Sequence, residues 1–321
     1  MANYLYCSDS FHACDNIGLD EYFLDTVQPD DLMLYFYVNE NAVIIGKNQN
    51  PWKECDLAAM EKNGVELSRR VSGGGAVYHD RGNLNYSFLA GENRYDPSLF
   101  QGVILSAVKS LGFTCEASGR NDLLCDGKKI SGTAFAARHN SHMHHGTLLI
   151  NTDLTRLASY LTVDPKKIRS KGISSVRSRV MNLCELDPTL TLERAREAVT
   201  DAFRERFGDA KAFVPSQAQK DAIVSYRTRH ASWSWCVGET PKFDLSWDER
   251  FPWGGVELYL SLEKSTIREV RAFSDAMDAS LCLALEEALT GVPLRRESLL
   301  SVSEKLCGEA SQAVAAFSQT V

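Results

Sequence analysis

Three stretches of this chain place residue types at spacings that can do chemistry. The first is Arg69-Arg70-Val71-Ser72-Gly73-Gly74-Gly75-Ala76-Val77-Tyr78-His79-Asp80. Consecutive glycines let main-chain N–H groups approach a ligand with no Cβ in the way. Two arginines ahead of them offer charged donors to a phosphate or carboxylate. The run is neither G-x-G-x-x-G opening a helix nor a loop ending in Gly-Lys-Ser/Thr, so the two common nucleotide motifs are excluded. A bare hairpin tip is the plainer reading of three glycines alone. The second stretch runs from Ser118-Gly119-Arg120-Asn121-Asp122 to Asp126-Gly127-Lys128-Lys129-Ile130-Ser131-Gly132. A lysine on such a hairpin can aim a compact ammonium at a phosphate and a carbonyl oxygen together, although most hairpin lysines are simply solvated. The third stretch holds Lys166, Lys167, Arg169, Lys171, Arg177 and Arg179 within 14 residues, with no acid between Asp164 and Glu185. Gly172 and the neighbouring serines mark it as a loop.

The elements that must position these groups are legible from periodicity. Leu32 to Val38 and Ala42 to Ile45 read as a hairpin joined through Asn39-Glu40-Asn41. Val65 to Arg70 and Ala76 to His79 read as strands flanking the glycine turn. Leu123 to Cys125 and Lys128 to Ser131 form a hairpin around Asp126-Gly127, a strong turn signal. Thr147 to Ile150 is a further short strand. Asp96-Pro97 opens a helix that closes at Gly112, with Val103, Leu105 and Val108 facing the core. Thr191 to Phe207 is an amphipathic helix ending at Gly208. Beyond Pro241 the texture changes. Val256, Leu258, Leu260 and Leu262 alternate with polar partners, Lys264 to Thr266 turns the chain, and Ile267 to Phe273 returns. Two helices, about 277–290 and 295–307, complete this unit. Strands arriving as hairpins more than as βαβ units indicate an α+β fold.

The chain has 321 residues, with 35 Lys plus Arg against 42 Asp plus Glu, a net charge of −7. That balance argues against a protein whose main work is gripping nucleic acid or an anionic membrane. No apolar run reaches membrane-spanning length, and the N-terminus lacks the basic start and apolar middle of a signal peptide. A cytoplasmic protein is expected. Nine cysteines without a single C-x-x-C pair fit reduced thiols better than a disulfide framework or a zinc site. His139, His142, His144 and His145 crowd seven residues, but no Cys or acid at ligand spacing joins them.

Taken together the motifs resemble one family, the lipoate-protein ligases within the biotin and lipoate ligase group. The resemblance is carried by Asn48-Gln49-Asn50-Pro51-Trp52, the Arg69 to Asp80 run, Ser118 to Asp122 and Lys129-Ile130-Ser131-Gly132. His145-Gly146-Thr147, Lys171-Gly172-Ile173-Ser174 through Arg179-Val180, and Trp253-Gly254-Gly255-Val256 continue it in the same order. One position departs. The family's Asn-x-Ala-x-Glu-Glu pattern reads Asn16-Ile17-Gly18-Leu19-Asp20-Glu21 here.

The resemblance implies a large catalytic domain of mixed and antiparallel sheets with helices over 1–245, and a small α+β accessory domain over 246–321. It implies a two-step reaction using ATP and Mg2+. Lipoic (or octanoic) acid is activated, lipoate to lipoyl-AMP, and the acyl group then passes to a lysine of acceptor domains of 2-oxoacid dehydrogenase complexes or glycine-cleavage H protein. Lys129 matches the catalytic lysine bridging carboxylate and α-phosphate. Arg70, Gly75, Ala76, Val77 and Tyr78 match the nucleotide segment, and Ser72, Gly73 and Gly74 the loop along the acyl chain. His79, Asn83 and Asp122 match polar positions around the adenylate, and His145-Gly146 a core strand beside it. Lys171, Gly172 and Arg179 match a loop that orders over the intermediate. No metal ligand is assigned, and no nucleic acid or membrane partner is expected.

Two rivals share the fold. An octanoyl- or lipoyl-transferase would carry the acyl group on a cysteine downstream of the lysine, yet no cysteine lies between Cys125 and Cys184. A biotin ligase would place Gly-Arg-Gly-Arg ahead of its glycine loop, which is absent here. A non-catalytic RNA-associated module explains the 166–179 charge run but leaves the glycine loop and Lys129 idle.

Overall fold

The computed structural model describes residues 2–119, 122–161, 180–238 and 243–321. The chain divides into two compact units. The first comprises Met1–Ile44, Trp52–Arg69 and Val77–Cys236, and the second Ile45–Pro51, Arg70–Ala76 and Val237–Val321.

Through the first unit the chain forms β1 (Asn3–Cys7), α1 (Ala13–Thr26), β2 (Leu32–Tyr37), β3 (Asn41–Ile45), α2 (Pro51–Glu54), α3 (Leu57–Lys62), β4 (Glu66–Arg69), β5 (Val77–Asp80) and β6 (Asn83–Gly91). It continues with α4 (Pro97–Ser110), β7 (Cys115–Ser118), β8 (Asp122–Cys125), β9 (Lys128–Arg138), β10 (Ser141–Leu149), α5 (Leu157–Tyr160), α6 (Leu192–Phe207), β11 (Lys211–Ala212), α7 (Gln217–Ala231) and α8 (Trp233–Cys236). Eight strands form one sheet in the order β11-β1-β2-β6-β10-β9-β8-β7, and a second sheet runs β4-β3-β5. β1 lies parallel to β2 and β11, and the remaining paired strands of the large sheet are antiparallel. The sheet is mixed, as expected. The β1-α1-β2 crossover is the βαβ unit that the preference for hairpins passed over.

Period-two alternation sorts the large sheet's side chains. Leu32, Leu34 and Phe36 of β2 and Leu84, Tyr86 and Phe88 of β6 meet Phe100 and Ile104 of α4 and Val199 and Phe203 of α6 in one core. Phe88 and Phe100 stack with ring centroids 4.8 Å apart. Truncating such a ring to Ala typically costs about 3–5 kcal/mol. Val103 and Val108 join this core as expected, whereas Leu105 is only partly buried and Ile104 takes the central place. Asp96 caps α4 through Ser98 and Leu99, and Pro97 sits in its first turn.

On the other face, Phe23 of α1 packs edge-on to Tyr35 at 5.3 Å. The departure at Gly18 has a physical reason: a Cβ there would lie 3.2 Å from the backbone of Tyr226 and Arg227 in α7. The missing methyl lets the two helices approach.

The expected 32–46 hairpin does not form. β2 is buried along its whole length between β1 and β6, and β3 is the middle strand of the second sheet. The link between them passes through Asn39, fully buried. Its Oδ1 accepts from Asn16 Nδ2 at 2.9 Å, and its Nδ2 lies 3.0 Å from His79 Nδ1. These bonds satisfy a polar crossover between two sheets that a surface turn would have left to water. For the same reason β4 and β5 flank the glycine run without pairing with each other, because β3 lies between them.

In the second unit β12 (Leu245–Phe251), β13 (Gly254–Glu263) and β14 (Thr266–Ser274) form an antiparallel sheet. Against it pack α9 (Leu281–Leu289), α10 (Arg296–Ser303) and α11 (Gly308–Ser318). Val256, Leu258 and Leu260 meet Leu285, Leu299, Val314 and Phe317 in the core. The turn at Lys264-Ser265 has positive φ at both residues (49° and 63°), as a tight hairpin turn requires. β12 and the third helix were not anticipated. No described helix is long and apolar enough to cross a membrane.

Candidate functional site

Asp126 (φ 50°) and Gly127 (φ 73°) make the tight turn joining β8 to β9. The register then shifts: Leu124 faces Lys129, but Leu123 faces Ser131. Ile130 is the extra residue of this bulge, and it is fully buried. A bulge re-aims the side chains beside it. Lys129 is held across Gly132, where an added Cβ would lie 2.8 Å from Nζ and 2.9 Å from Cε. Its Nζ reaches Asp122 Oδ1 at 2.7 Å, and both side chains keep more than a third of their surface in solvent. Lys128 is exposed, so the two adjacent lysines differ in surroundings as strand geometry requires. The Lys129 carbonyl accepts from Met181 N at 2.9 Å.

Behind this lysine the Tyr86 side chain crosses Gly146 toward β9. The Tyr86 hydroxyl lies 3.2 Å from Ser131 Oγ, and burial pushes the phenol's pKa up, only partly offset by that bond. A Cβ on Gly146 would meet the Tyr86 hydroxyl and the Gly132 carbonyl. Gly132 and Gly146, from separate motifs, thus share one tight contact.

His145 is buried, with Nδ1 2.9 Å from Asp20 Oδ2, which also accepts from the Tyr37 hydroxyl at 3.2 Å. His144 faces the other way, among the rings of Phe88, Phe100 and Phe135. Among the described residues neither of its ring nitrogens has a partner, and burial lowers its pKa to about 3. His142 stacks on Tyr95 at 4.1 Å and bonds to Glu92 at 2.7 Å. Strand alternation therefore sets His145 on the opposite face from His142 and His144, and those two have different neighbours. Among the described residues no three His, Cys, Asp or Glu side chains converge as a metal site.

On β5, Tyr78 donates to Asn41 Oδ1 at 2.9 Å, and Arg156 Nη1 donates to both at 3.2–3.3 Å. Burial raises the phenol's pKa, and Arg156 opposes the rise. His79 is held by Asn39. Asn83 donates to Asn85 Oδ1 at 2.9 Å, while its own Oδ1 is buried without a partner among the described residues.

In the second unit Arg70 shapes the glycine run. Its Nε donates to Ser72 Oγ at 3.0 Å, and its Nη2 donates to the Gly73 and Gly75 carbonyls at 2.7 and 2.8 Å. Gly74 has φ +90°, a conformation that favours glycine. Ser72, Gly73 and Gly74 are buried, Gly75 is exposed, and Ala76 lies between.

The residues singled out from sequence therefore fall in both units. The structure joins Asp122 to Lys129 and sets Gly146 against Gly132. It gives Tyr78, His79 and His145 polar partners (Asn41, Arg156, Asn39, Asp20) that the motifs did not pair with them. The sequence offers Arg69 as a ligand donor, but in the structure it donates to the Trp235 and Cys236 carbonyls at 3.0 and 2.9 Å, and burial lowers its pKa to about 10. Lys171, Gly172 and Arg179 lie outside the described residues, as does most of the basic run.

The expectation of nine reduced thiols also needs correction. Cys115 and Cys125 face each other on the β7–β8 ladder and form a disulfide, with Cα atoms 4.4 Å apart. The other seven cysteines are free. The Asp126-Gly127 turn and the ladder register bring the pair together, and spacing in sequence carried no sign of it.

Residues 12–204 match the Lipoyl protein ligase A/B catalytic domain, and residues 240–313 match the bacterial lipoate protein ligase C-terminus. Among solved structures, P. falciparum LipL1 in complex with lipoate is 28% identical, with a TM-score of 0.87 and 99% of each chain covered. A bi-partite lipoate protein ligase from Thermoplasma acidophilum, studied with its E2 lipoyl domain, is 29% identical with a TM-score of 0.68 over 76% of this chain and 100% of that one. A lipoate-protein ligase A bound with ATP is 26% identical with a TM-score of 0.66, covering 74% and 99%. The catalytic-domain match spans more than half of the chain and carries the glycine run, Lys129 and the His145-Gly146 pair within it, so this chain belongs to the lipoate-protein ligase family and is an enzyme of the lipoate ligase type.

Proposed function

We propose that this enzyme activates free lipoate with ATP and transfers the lipoyl group to a lysine of an acceptor domain. A catalytic segment over 1–245 and an accessory segment over 246–321 would divide the work. The observation that carries this reading is the Lys129 ammonium, positioned by the β9 bulge, laid across Gly132 and about one-third open to solvent beside Asp122. In the first step the lipoate carboxylate attacks the α-phosphorus of ATP, the bond to the β-phosphate breaks, and pyrophosphate leaves. In the second, an acceptor lysine amine attacks the mixed anhydride, an amide forms, and AMP leaves. Negative charge gathers on oxygens in both steps, and a preorganised cation stabilises it. Arg70 and residues 75–78 are proposed to hold the nucleotide, and Ser72 to Gly74 the acyl chain. His79, Asn83, Asp122, His145 and Gly146 would line the adenylate, with Lys171, Gly172 and Arg179 closing over it. The acceptor is proposed to be a lipoyl domain of the kind studied with the archaeal relative. Magnesium would screen the triphosphate. No cluster of its usual ligands stands among the described residues, so no side chain is assigned to it. Cys125, four residues before Lys129, is buried and bonded to Cys115, which argues against it as an acyl carrier.

The test is pyrophosphate release with a panel of free acids and no acceptor, followed by transfer from supplied lipoyl-adenylate. Lys129→Ala is expected to lower both by about 10²–10³, with Lys128→Ala near wild type. Release that is independent of lipoate, or indifferent to Lys129, would refute the reading.

A further inference from the structure

The segments 45–51 and 70–76 belong to the same compact unit as the C-terminal residues, and a short set of bonds explains why. The Asn48 carbonyl accepts from Ser274 N at 2.7 Å, and its side-chain Nδ2 donates to the Ala279 carbonyl at 3.0 Å. One residue thus spans both ends of the 274–279 turn. That turn is itself braced. Ser274 Oγ donates to the Gly255 carbonyl, and Asp275 pairs with Arg250 at 2.8 Å while accepting from Gly255 N. The glycine loop hangs from the same frame. Lys47 N donates to the Ser72 carbonyl at 2.8 Å, and Gly74 N donates to the Ala276 carbonyl at 2.8 Å. The fit is close, since a Cβ on Gly73 would overlap the Ala276 and Met277 carbonyls.

We propose that Asn48 is a positioning residue for the glycine loop, its side-chain amide clasping the 46–49 turn to the 274–279 turn and so fixing where Ser72 to Gly74 lie. The assignment of that loop to lipoate rests on the function proposed above; the clasp itself does not. A main-chain bond joins the two turns directly at the Asn48 carbonyl. The Asn48 side chain adds the second point, which removes rotation about the first. A loop with one such hinge released samples more positions, and a ligand must then order it on binding. The cost appears in ligand affinity and much less in the chemical step.

Asn48→Asp keeps the shape but replaces the donor with a carboxylate facing the Ala279 carbonyl. Asn48→Ala removes the group altogether. The full chain is compared by hydrogen exchange at peptides covering 70–76 and, as an internal reference, β13 and β14. Lipoate-dependent pyrophosphate release is followed in parallel. In both variants exchange at Gly74 is expected to quicken about tenfold with β13 and β14 unchanged. KM for lipoate is expected to rise at least fivefold with kcat within a factor of two, Asp being at least as severe as Ala. If the Asp variant fails to fold, Asn48→Ser, whose hydroxyl is too short to reach Ala279, takes its place. Unchanged exchange at 70–76, equal acceleration throughout β13 and β14, or an Asp variant like wild type would each overturn the proposal. Absence of lipoate-dependent activity in the wild type would refute the proposed function while leaving the exchange result to judge the clasp.

Discussion

Gly132→Ala separates the position of the Lys129 ammonium from the stability of the strand that carries it. A Cβ at residue 132 would lie 2.8 Å from Nζ and 2.9 Å from Cε. Ordinary contact needs about 3.5 Å, so the ammonium must retreat by roughly 0.6–0.7 Å. It can do so cheaply, since it sits at the end of a flexible side chain. The Asp122 pair that would be disturbed is more than a third exposed on both sides, and such a pair is worth at most about 1 kcal/mol. Gly132 has no positive φ, and replacing glycine by alanine in a strand recovers roughly 0.5–1 kcal/mol. The two small terms oppose each other, and the unfolding free energy should stay within about 1 kcal/mol of wild type. Catalysis is less forgiving, because misplacing a catalytic group by about 1 Å can cost on the order of 10²-fold. Lipoate-dependent pyrophosphate release should therefore fall about 10- to 30-fold. Gly146→Ala is the contrasting case. Its Cβ meets the Tyr86 hydroxyl and the Gly132 backbone, neither of which moves freely, so it should lose about 1–3 kcal/mol of stability. Thermal or urea unfolding measured beside the release assay reads both. A Gly132→Ala enzyme with activity within twofold of wild type, alongside an inactive Lys129→Ala, would refute the claim that ammonium placement limits the reaction.

His144 gives a pH signature. Its folded pKa of about 3 lies below the ordinary value of 6.5, so the fold favours the neutral ring. The stability this contributes is complete above pH 6.5 and is lost as pH falls toward 3. At pH 4.5 the loss is about 2–3 kcal/mol. Urea unfolding at pH 7.5 and 4.5 should show a smaller acid penalty in His144→Leu than in wild type, and equal penalties would contradict the assignment. Peptide mapping without reductant should recover Cys115 joined to Cys125 and seven free thiols. Cys125→Ser should cost about 2–3 kcal/mol of stability, the effect of opening a ring of about ten residues, yet retain most ligase activity. An acyl thioester trapped on any cysteine in single turnover would instead support a transferase.

Local chemistry determined what could be read from sequence alone. Asp96-Pro97 and Gly112 bounded α4, Asp126-Gly127 bounded the β8–β9 turn, and strict alternation marked β13, because caps, turns and amphipathic faces depend on residues a few positions apart. The choice of Lys129 over Lys128 came from the motif, and strand alternation alone required only that the two differ. What needed the tertiary structure was every pairing between distant segments. The same turn signals around Asn39 suit a hairpin or a crossover between sheets, and only burial against Asn16 and His79 decided for the crossover. Gly18 was a departure from pattern until α7 was found against it. The Cys115–Cys125 bond depends on a register that composition does not encode. Asn48 lies more than 200 residues from Ala279, and chain separation of that order leaves no local trace. Short-range interactions choose the elements; packing and buried polar satisfaction choose which elements meet.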